Sequence, residues 1–381
     1  MTKILRDFRV VEMGTYITGP AAGMHLADLG ADVIKVEKPE TGDPFRAFKG
    51  GLYSPHFQTY NRNKRSIALD TAKPADRAVF HDLIRGADVF IQNFRPGVAE
   101  KLGAGAEELG RINGGLVYFA ITGFGQTGPA RDKPPYDTVA QAASAYLRLL
   151  TPPANPRVIG PAIADAVTGH YAALGIVAAL LERTKTGKGR RLDISMLEAM
   201  CHFNLDSFTH YFSVGEVMGP LSRPMVSQSY TFACADGKWI AIHLSSPPKF
   251  WEGLATAVGM PELLADPRFA ERPARIQNQQ ALIDILTPVF ATRSREAWCA
   301  ALLENEVPHS PAYDSDEALE DPQARHLQIA VEAEHPQMGP FRTVRPPYSF
   351  DGEADLSVLP PPTLDEHGAE IRLEIERRKA G

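Results

Sequence analysis

The sequence predicts an α/β protein: a large domain built on a mostly parallel sheet, followed by a smaller α+β domain. Short apolar runs alternate with helix-length segments up to about residue 215, which implies strand–helix–strand units with ligands at the carboxyl ends of the strands. Beyond that point a hairpin pattern and short helices replace the alternation, and a proline-rich stretch closes the chain.

Val10 to Met13 reads as the first strand, running into Gly14-Thr-Tyr-Ile-Thr-Gly-Pro20. A helix is expected from about Ala21 to Leu29, with Pro20 near its first turn and Gly30 at its end. Asp32 to Glu37 is the second strand, and Ala87 to Asn93 and Leu116 to Thr122 are further apolar runs of strand length. Residues 1–215 therefore form the large domain. Thr231 to His243 reads as a hairpin around Asp236-Gly237, with helices near 249–258, 275–291 and 294–305, so 225–315 is taken as the small domain. From 316 to 381 the chain reads as extended and proline-rich, returning to the large domain and ending in a helix from about Leu364.

Composition narrows the function. A hydrophobic content of 44% and a charged content of 23% are those of an ordinary globular protein, and 381 residues suffice for two domains. A net charge of −6 argues against a nucleic-acid binder, although local basic clusters can still hold a phosphorylated small molecule. Cys201, Cys234 and Cys299 are widely spaced and show no metal-ligand pattern, which fits a reduced cytoplasm. No signal-peptide core is expected at the N-terminus, and no apolar run approaching the ~20 residues of a membrane span.

The segment around Asp165 is the most informative. Gly160 and Pro161 precede a long apolar helix that stops at Thr184-Lys-Thr-Gly-Lys-Gly189. Ala164, Val167, Tyr171, Leu174, Ala178 and Leu181 recur at helical spacing, so that face should be buried. Asp165 then stands at the helix start, where free N–H groups favour an ionised carboxylate. Such a group is either a simple N-cap or a covalent nucleophile; local spacing alone does not separate the two.

Other segments could hold a ligand. Gly14 to Gly23 has three glycines but neither the dinucleotide nor the P-loop spacing. Glu37 at a strand end mimics a ribose-binding acid. Asn61-Arg-Asn-Lys-Arg-Ser66 and Asn93-Phe-Arg-Pro-Gly97 are either solvated basic loops or cradles for phosphate, with Phe94 offering a face to adenine. Gly123-Phe-Gly-Gln-Thr-Gly-Pro129 can bring backbone N–H groups to an oxyanion, and Tyr136-Asp137 follow it. Phe45, Phe48, Tyr146, Phe203 and Phe208 are candidates for an acyl pocket or for core.

In this order the segments resemble the family III CoA-transferases, the group of formyl-CoA and carnitine CoA-transferases related to α-methylacyl-CoA racemases. The resemblance rests on Gly30 to Glu37, Thr41-Gly-Asp43, Asn63 to Ile67, Leu69-Asp70, Asn93 to Gly97, Gly123 to Pro129, Ala164-Asp165, Thr186 to Gly189, Asp266 to Phe269 and Asp321 to Gln323. It implies that Asp165 attacks an acyl-CoA thioester, giving an aspartyl anhydride and then an aspartyl-CoA thioester. It also implies coenzyme A contacts at Ile17, Thr18, Lys38, Leu69, Asn93, Phe94, Arg95, Lys101, Tyr136 and Asp137. Acyl-CoA and a free carboxylate are then the substrates, with no metal and no redox cofactor. The family fold is a Rossmann-like domain plus a small domain, in a homodimer interlocked like links of a chain.

Two departures matter. Ile17 stands where formyl-CoA transferase has glutamine, which removes support for oxalate or formate as substrate. The racemase branch has a histidine where Tyr136 stands, and a racemase needs a base on each side of the α-carbon. A CoA-transferase is therefore favoured over an acyl-CoA racemase or a catalytically idle CoA-binding protein.

Overall fold

The computed structural model describes residues 4–380. Contacts group the chain into two compact units, one formed by 1–147, 158–205 and 328–381, the other by 148–157 and 206–327. The longer stretch of the second unit runs from Asp206 to Leu327, where 225–315 was expected.

In the first unit, β1 (Arg9–Met13) leads through α1 (Thr18–Asp28) to β2 (Asp32–Glu37), and α2 (Pro55–Asn61) precedes β3 (Lys64–Ala68). Then come α3 (Pro74–Arg85), β4 (Val89–Gln92), α4 (Val98–Lys101), α5 (Ala106–Ile112) and β5 (Val117–Thr122). After α6 (Asp137–Ala143) and α7 (Tyr146–Leu150), whose residues from Arg148 on count with the second unit, the long α8 (Ile163–Thr186) feeds β6 (Arg190–Ser195) and α9 (Met196–Phe203). The six strands are parallel in the order β3-β2-β1-β4-β5-β6. β4 and β5, next to each other in the sheet, are buried along their whole length because both faces are covered. Val11, Ile34 and Phe90 pack on α3, α5 and the C-terminal helix Gly368–Ala380, whereas Val10, Val33 and Val89 pack on α1 and α8.

α8 corrects one expectation. Its buried side chains include Ala164, Thr168, Ala172, Ile176 and Leu180, while Leu174, Ala178 and Leu181 point outward. The expected face holds at its start, where Ala164 and Val167 are buried, and leaves the core from Leu174 onward. Gly169 sets the buried side: a Cβ there would lie 2.6 Å from Ala21 Cβ, so α1 and α8 meet closely only on that side. α8 is also long and apolar enough to cross a membrane by length and composition, contrary to the reading that no run reaches that length, but half of that stretch is buried within the fold.

The second unit holds an antiparallel sheet of β7 (Ser229–Ala233), β8 (Trp239–His243) and β9 (His309–Ala312), packed on helices through Trp251, Phe290 and Trp298. The helix expected over 275–291 is broken at Asn278 into Arg272–Gln277 and Gln279–Phe290. The stretch from 316 is not simply extended: Ser315–Glu320 and Pro322–His326 are helical, each started by an aspartate cap, and Ala330–His335 pairs with Gly339–Val344.

Candidate active site

Strand order reverses between β1 and β4, so the loops that follow them splay apart at the carboxyl edge of the sheet. One cleft opens there. It is lined by Thr15 to Thr18 after β1, Asn93 to Pro96 after β4, Thr122 and Gly123 after β5, then Arg131, Lys133, Pro135, Tyr136, Asp165 and Met196. Of the anticipated site residues, Ile17, Thr18, Asn93, Phe94, Arg95, Tyr136 and Asp165 meet in this cleft.

The others do not line it. Lys38 and Lys101 are exposed just beyond β2 and at the end of α4. Leu69 is only 2% exposed and packs in the core beneath the sheet. Asp137 turns toward α8: its Oδ1 accepts the Ala164 N–H at 2.7 Å and the Asp165 N–H at 3.2 Å, and its Oδ2 accepts from Gln141 Nε2 at 2.6 Å. The helix start that was assigned to Asp165 is therefore capped by Asp137. Ala162 holds the N-cap position, and Asp165 is in the first turn with its carboxyl toward the cleft.

That arrangement works against the ionisation expected of Asp165. Burial, and then the nearby Asp137 carboxylate, push Asp165 up to about 7 rather than holding it ionised. The first-turn amides that would have lowered it already bond to Asp137. Tyr60 feels the same pair, and burial with Asp165 and Asp137 beside it raises its hydroxyl pKa.

Loop geometry follows from a few side chains. Asn93 Oδ1 accepts the Thr15 N–H at 2.9 Å, and Nδ2 donates to Thr15 O at 2.7 Å and Thr18 Oγ1 at 2.9 Å. Asn93 thus splices the β4 loop to the β1 loop. Gly123 is required where β5 ends, because a Cβ would overlap the Pro135 ring at 2.0 Å.

Arg95, Arg131 and Lys133 have no ion-pair partner among the described residues, so the cleft offers three cations to an anionic ligand. Arg131 and Lys133 escaped the sequence reading, although two cations among prolines directly after a glycine-rich loop were the available signal.

Two basic or acidic segments lose their anticipated roles. Lys64 is buried on Glu12, Arg65 pairs with Asp32 and Glu374, and Arg62 pairs with Asp28, so Asn61 to Ser66 offers no phosphate cradle. Glu37 is buried and its carboxylate is taken up by Arg46 and Ser66.

A doubly wound α/β unit thus brings a carboxyl group and three cations into one cleft at the switch point of its sheet. The chain belongs to CoA-transferase family III, which it matches over residues 5–368, and it is a CoA-transferase. It is 34% identical to a succinyl-CoA–D-citramalate CoA-transferase of Chloroflexus aurantiacus, over 97% of this chain and 94% of that one. An acetyl-CoA:oxalate CoA-transferase of Acetobacter aceti is 32% identical, over 97% of this chain and 95% of its own. The crystal structure of a CaiB/BaiF family protein from Brucella suis superposes with a TM-score of 0.86 at 34% identity, covering 98% of this chain and 99% of that one.

Proposed function

We propose that this chain moves CoA from an acyl-CoA donor to a free carboxylic acid through covalent intermediates on Asp165. The supporting observation is the Asp165 carboxyl in a cleft whose cations Arg95, Arg131 and Lys133 suit CoA phosphates. The Asp165 carboxylate attacks the thioester carbonyl, the C–S bond breaks, and CoA thiolate leaves a mixed anhydride. Thiolate then attacks the Asp165 carbonyl of that anhydride, releasing the donor acid and forming an aspartyl-CoA thioester. The acceptor carboxylate and the thiolate repeat the two steps in reverse, yielding the new acyl-CoA and free Asp165. Ile17, Thr18, Asn93, Phe94, Arg95 and Tyr136 are the proposed CoA contacts in the cleft, with Lys38 and Lys101 reached by its outer end. The two relatives above are named for citramalate and oxalate, so small dicarboxylic acids head the acceptor screen.

The test is trapping. Incubation with acyl-CoA alone, followed by hydroxylamine or borohydride, should mark a peptide containing Asp165. Modification elsewhere, or none under turnover conditions, would remove covalent catalysis.

Because Asp165 acts as the carboxylate and its carboxyl is raised to about 7, turnover should climb with pH to a plateau above a midpoint near 7. Asp137→Asn keeps an acceptor for the α8 amides but removes the charge, so the midpoint should fall. Burial, the larger cause, keeps it above the ordinary aspartate value. A midpoint that stays or rises in the variant would break the assignment.

We also propose a homodimer, interlocked as in the family. Leu174 and Leu181 on the outer stripe of α8 are 65% and 60% exposed. On and after α10 (Leu205–Val214), Phe212, Val214 and Val217 are more exposed still. Apolar side chains of that size and number are covered in a stable assembly. The unfolding midpoint should therefore rise with protein concentration. An active, folded species of 41.6 kDa in sedimentation at nanomolar concentration would overturn the dimer.

A further inference from the structure

Beneath the loop after β1 lies a buried set of charges that the transfer chemistry does not use. Glu12, Lys35 and Lys64 are fully or almost fully buried, as is Asp43. Glu12 accepts from Lys35 Nζ at 2.8 Å through Oε1 and from Lys64 Nζ at 2.6 Å through Oε2. Lys35 Nζ also donates to Gly14 O at 2.9 Å and lies 3.0 Å from Asp43 Oδ2, an ion-pair contact rather than an aligned hydrogen bond. Asp43 is fixed from its other side, since its N–H donates to Glu37 Oε1 at 3.0 Å. Its Oδ1 accepts the Phe45 N–H at 3.0 Å and the Tyr16 N–H at 3.1 Å.

Tyr16 is the unusual partner. It lines the cleft with Asp165, yet its φ is 62°, a left-handed backbone that a bulky residue adopts only when its surroundings enforce it. A buried ion set is weak evidence for stability, because apolar side chains of the same volume serve as well. What such a set can do is fix geometry.

We propose that Asp43 is a positioning residue of the transfer reaction: anchored by Lys35 and Glu12, it holds the Tyr16 backbone in its left-handed conformation. Tyr16 and Ile17 thereby form the wall of the cleft that shares it with Asp165. The inference rests on the cleft being the reaction site, as proposed above.

The test is a double-mutant cycle using glycine, which adopts positive φ freely. Asp43→Ala should raise the KM for acyl-CoA and lower kcat/KM by about 10- to 100-fold, the scale of a misplaced cleft wall. In the Tyr16→Gly background, where no left-handed strain needs holding, the same substitution should cost less than about threefold, well below the single-variant loss. Asp43→Asn keeps an acceptor for the Tyr16 N–H and should retain most activity, and it decides the question if Asp43→Ala does not fold. An equal loss in both backgrounds, or a folded Asp43→Ala with wild-type kcat/KM, would overturn the inference. Asp165→Ala is assayed alongside: if it still transfers CoA, the site reading has failed whatever Asp43 does. If it is inactive and the Asp43 effect ignores the Tyr16 background, only the positioning role falls.

Discussion

Asp165→Ala should abolish CoA transfer, with kcat lowered by at least about 10³-fold, as expected when a covalent nucleophile is removed. The protein should stay folded, because Asp165 does not cap α8; Asp137 does, through the Ala164 and Asp165 backbone amides. Stability should even rise at neutral and alkaline pH. Burial and Asp137 raise the folded-state carboxyl to about 7, above its unfolded value, so the folded state binds the proton more tightly. The resulting penalty is absent at acid pH, grows as pH climbs from about 4 to 7, and is complete above that window. Removing the carboxyl relieves it, by an amount on the order of 4 kcal/mol at pH 8. Denaturant unfolding of wild type and variant at pH 4 and pH 8 measures the difference. A folded variant that exchanges CoA at near wild-type rate would end the nucleophile assignment, and one destabilised equally at both pH values would show a packing role instead.

The parallel sheet was legible because fully covered strands read as apolar runs, as around Val89 and Val117, with Val10 and Val33 opening shorter ones. Ile17, Asn93 and Arg95 were named through the family resemblance, and the parallel strands bring the loops that carry them to one edge of the sheet. What escaped depends on long-range partners. Asp137 caps a helix 27 residues further along the chain, so local spacing credited the cap to Asp165. The buried face of α8 includes Ala164 and Val167 as expected but departs from the expected stripe further along, where the close approach of Gly169 to Ala21 sets it. Lys35, Glu37 and Lys64 look solvated in sequence, because alternating charge in a strand normally marks an exposed face. Their partners Glu12, Arg46 and Asp43 come from other strands and loops, and only together do they satisfy burial.

Arg46→Ala should be the most destabilising of these substitutions, lowering the unfolding free energy by about 3–5 kcal/mol. Arg46 is fully buried; its Nε and Nη2 donate to the two oxygens of Glu37 at 2.8 and 2.6 Å. Its Nη1 donates to Leu52 O at 3.2 Å and Pro362 O at 3.1 Å, and the guanidinium stacks 3.6 Å from the Phe57 ring centre. One side chain therefore ties β2 to the loop before α2 and to the C-terminal segment. Burial alone would raise the Glu37 carboxyl, but Arg46 outweighs it and holds the group below its usual range. The stabilisation from a depressed carboxylate is present above its unfolded pKa and is lost as pH falls through the folded one. Without Arg46 Glu37 loses its ion-pair partner and keeps only the Ser66 and Asp43 donors and the more distant Lys35 charge against burial, so the variant should be least stable at neutral and higher pH. Replacing both partners, Glu37→Leu with Arg46→Met, removes the stranded charge and should recover most of the loss. Recovery stays incomplete because Ser66 Oγ and the Asp43 N–H also donate to Glu37 and would lose their acceptor. Urea midpoints of the single and double variants across pH 5 to 8 decide the matter. If the double variant is no more stable than Arg46→Ala, the deficit lies in lost packing on Phe57 and Pro362 rather than in the charge left on Glu37.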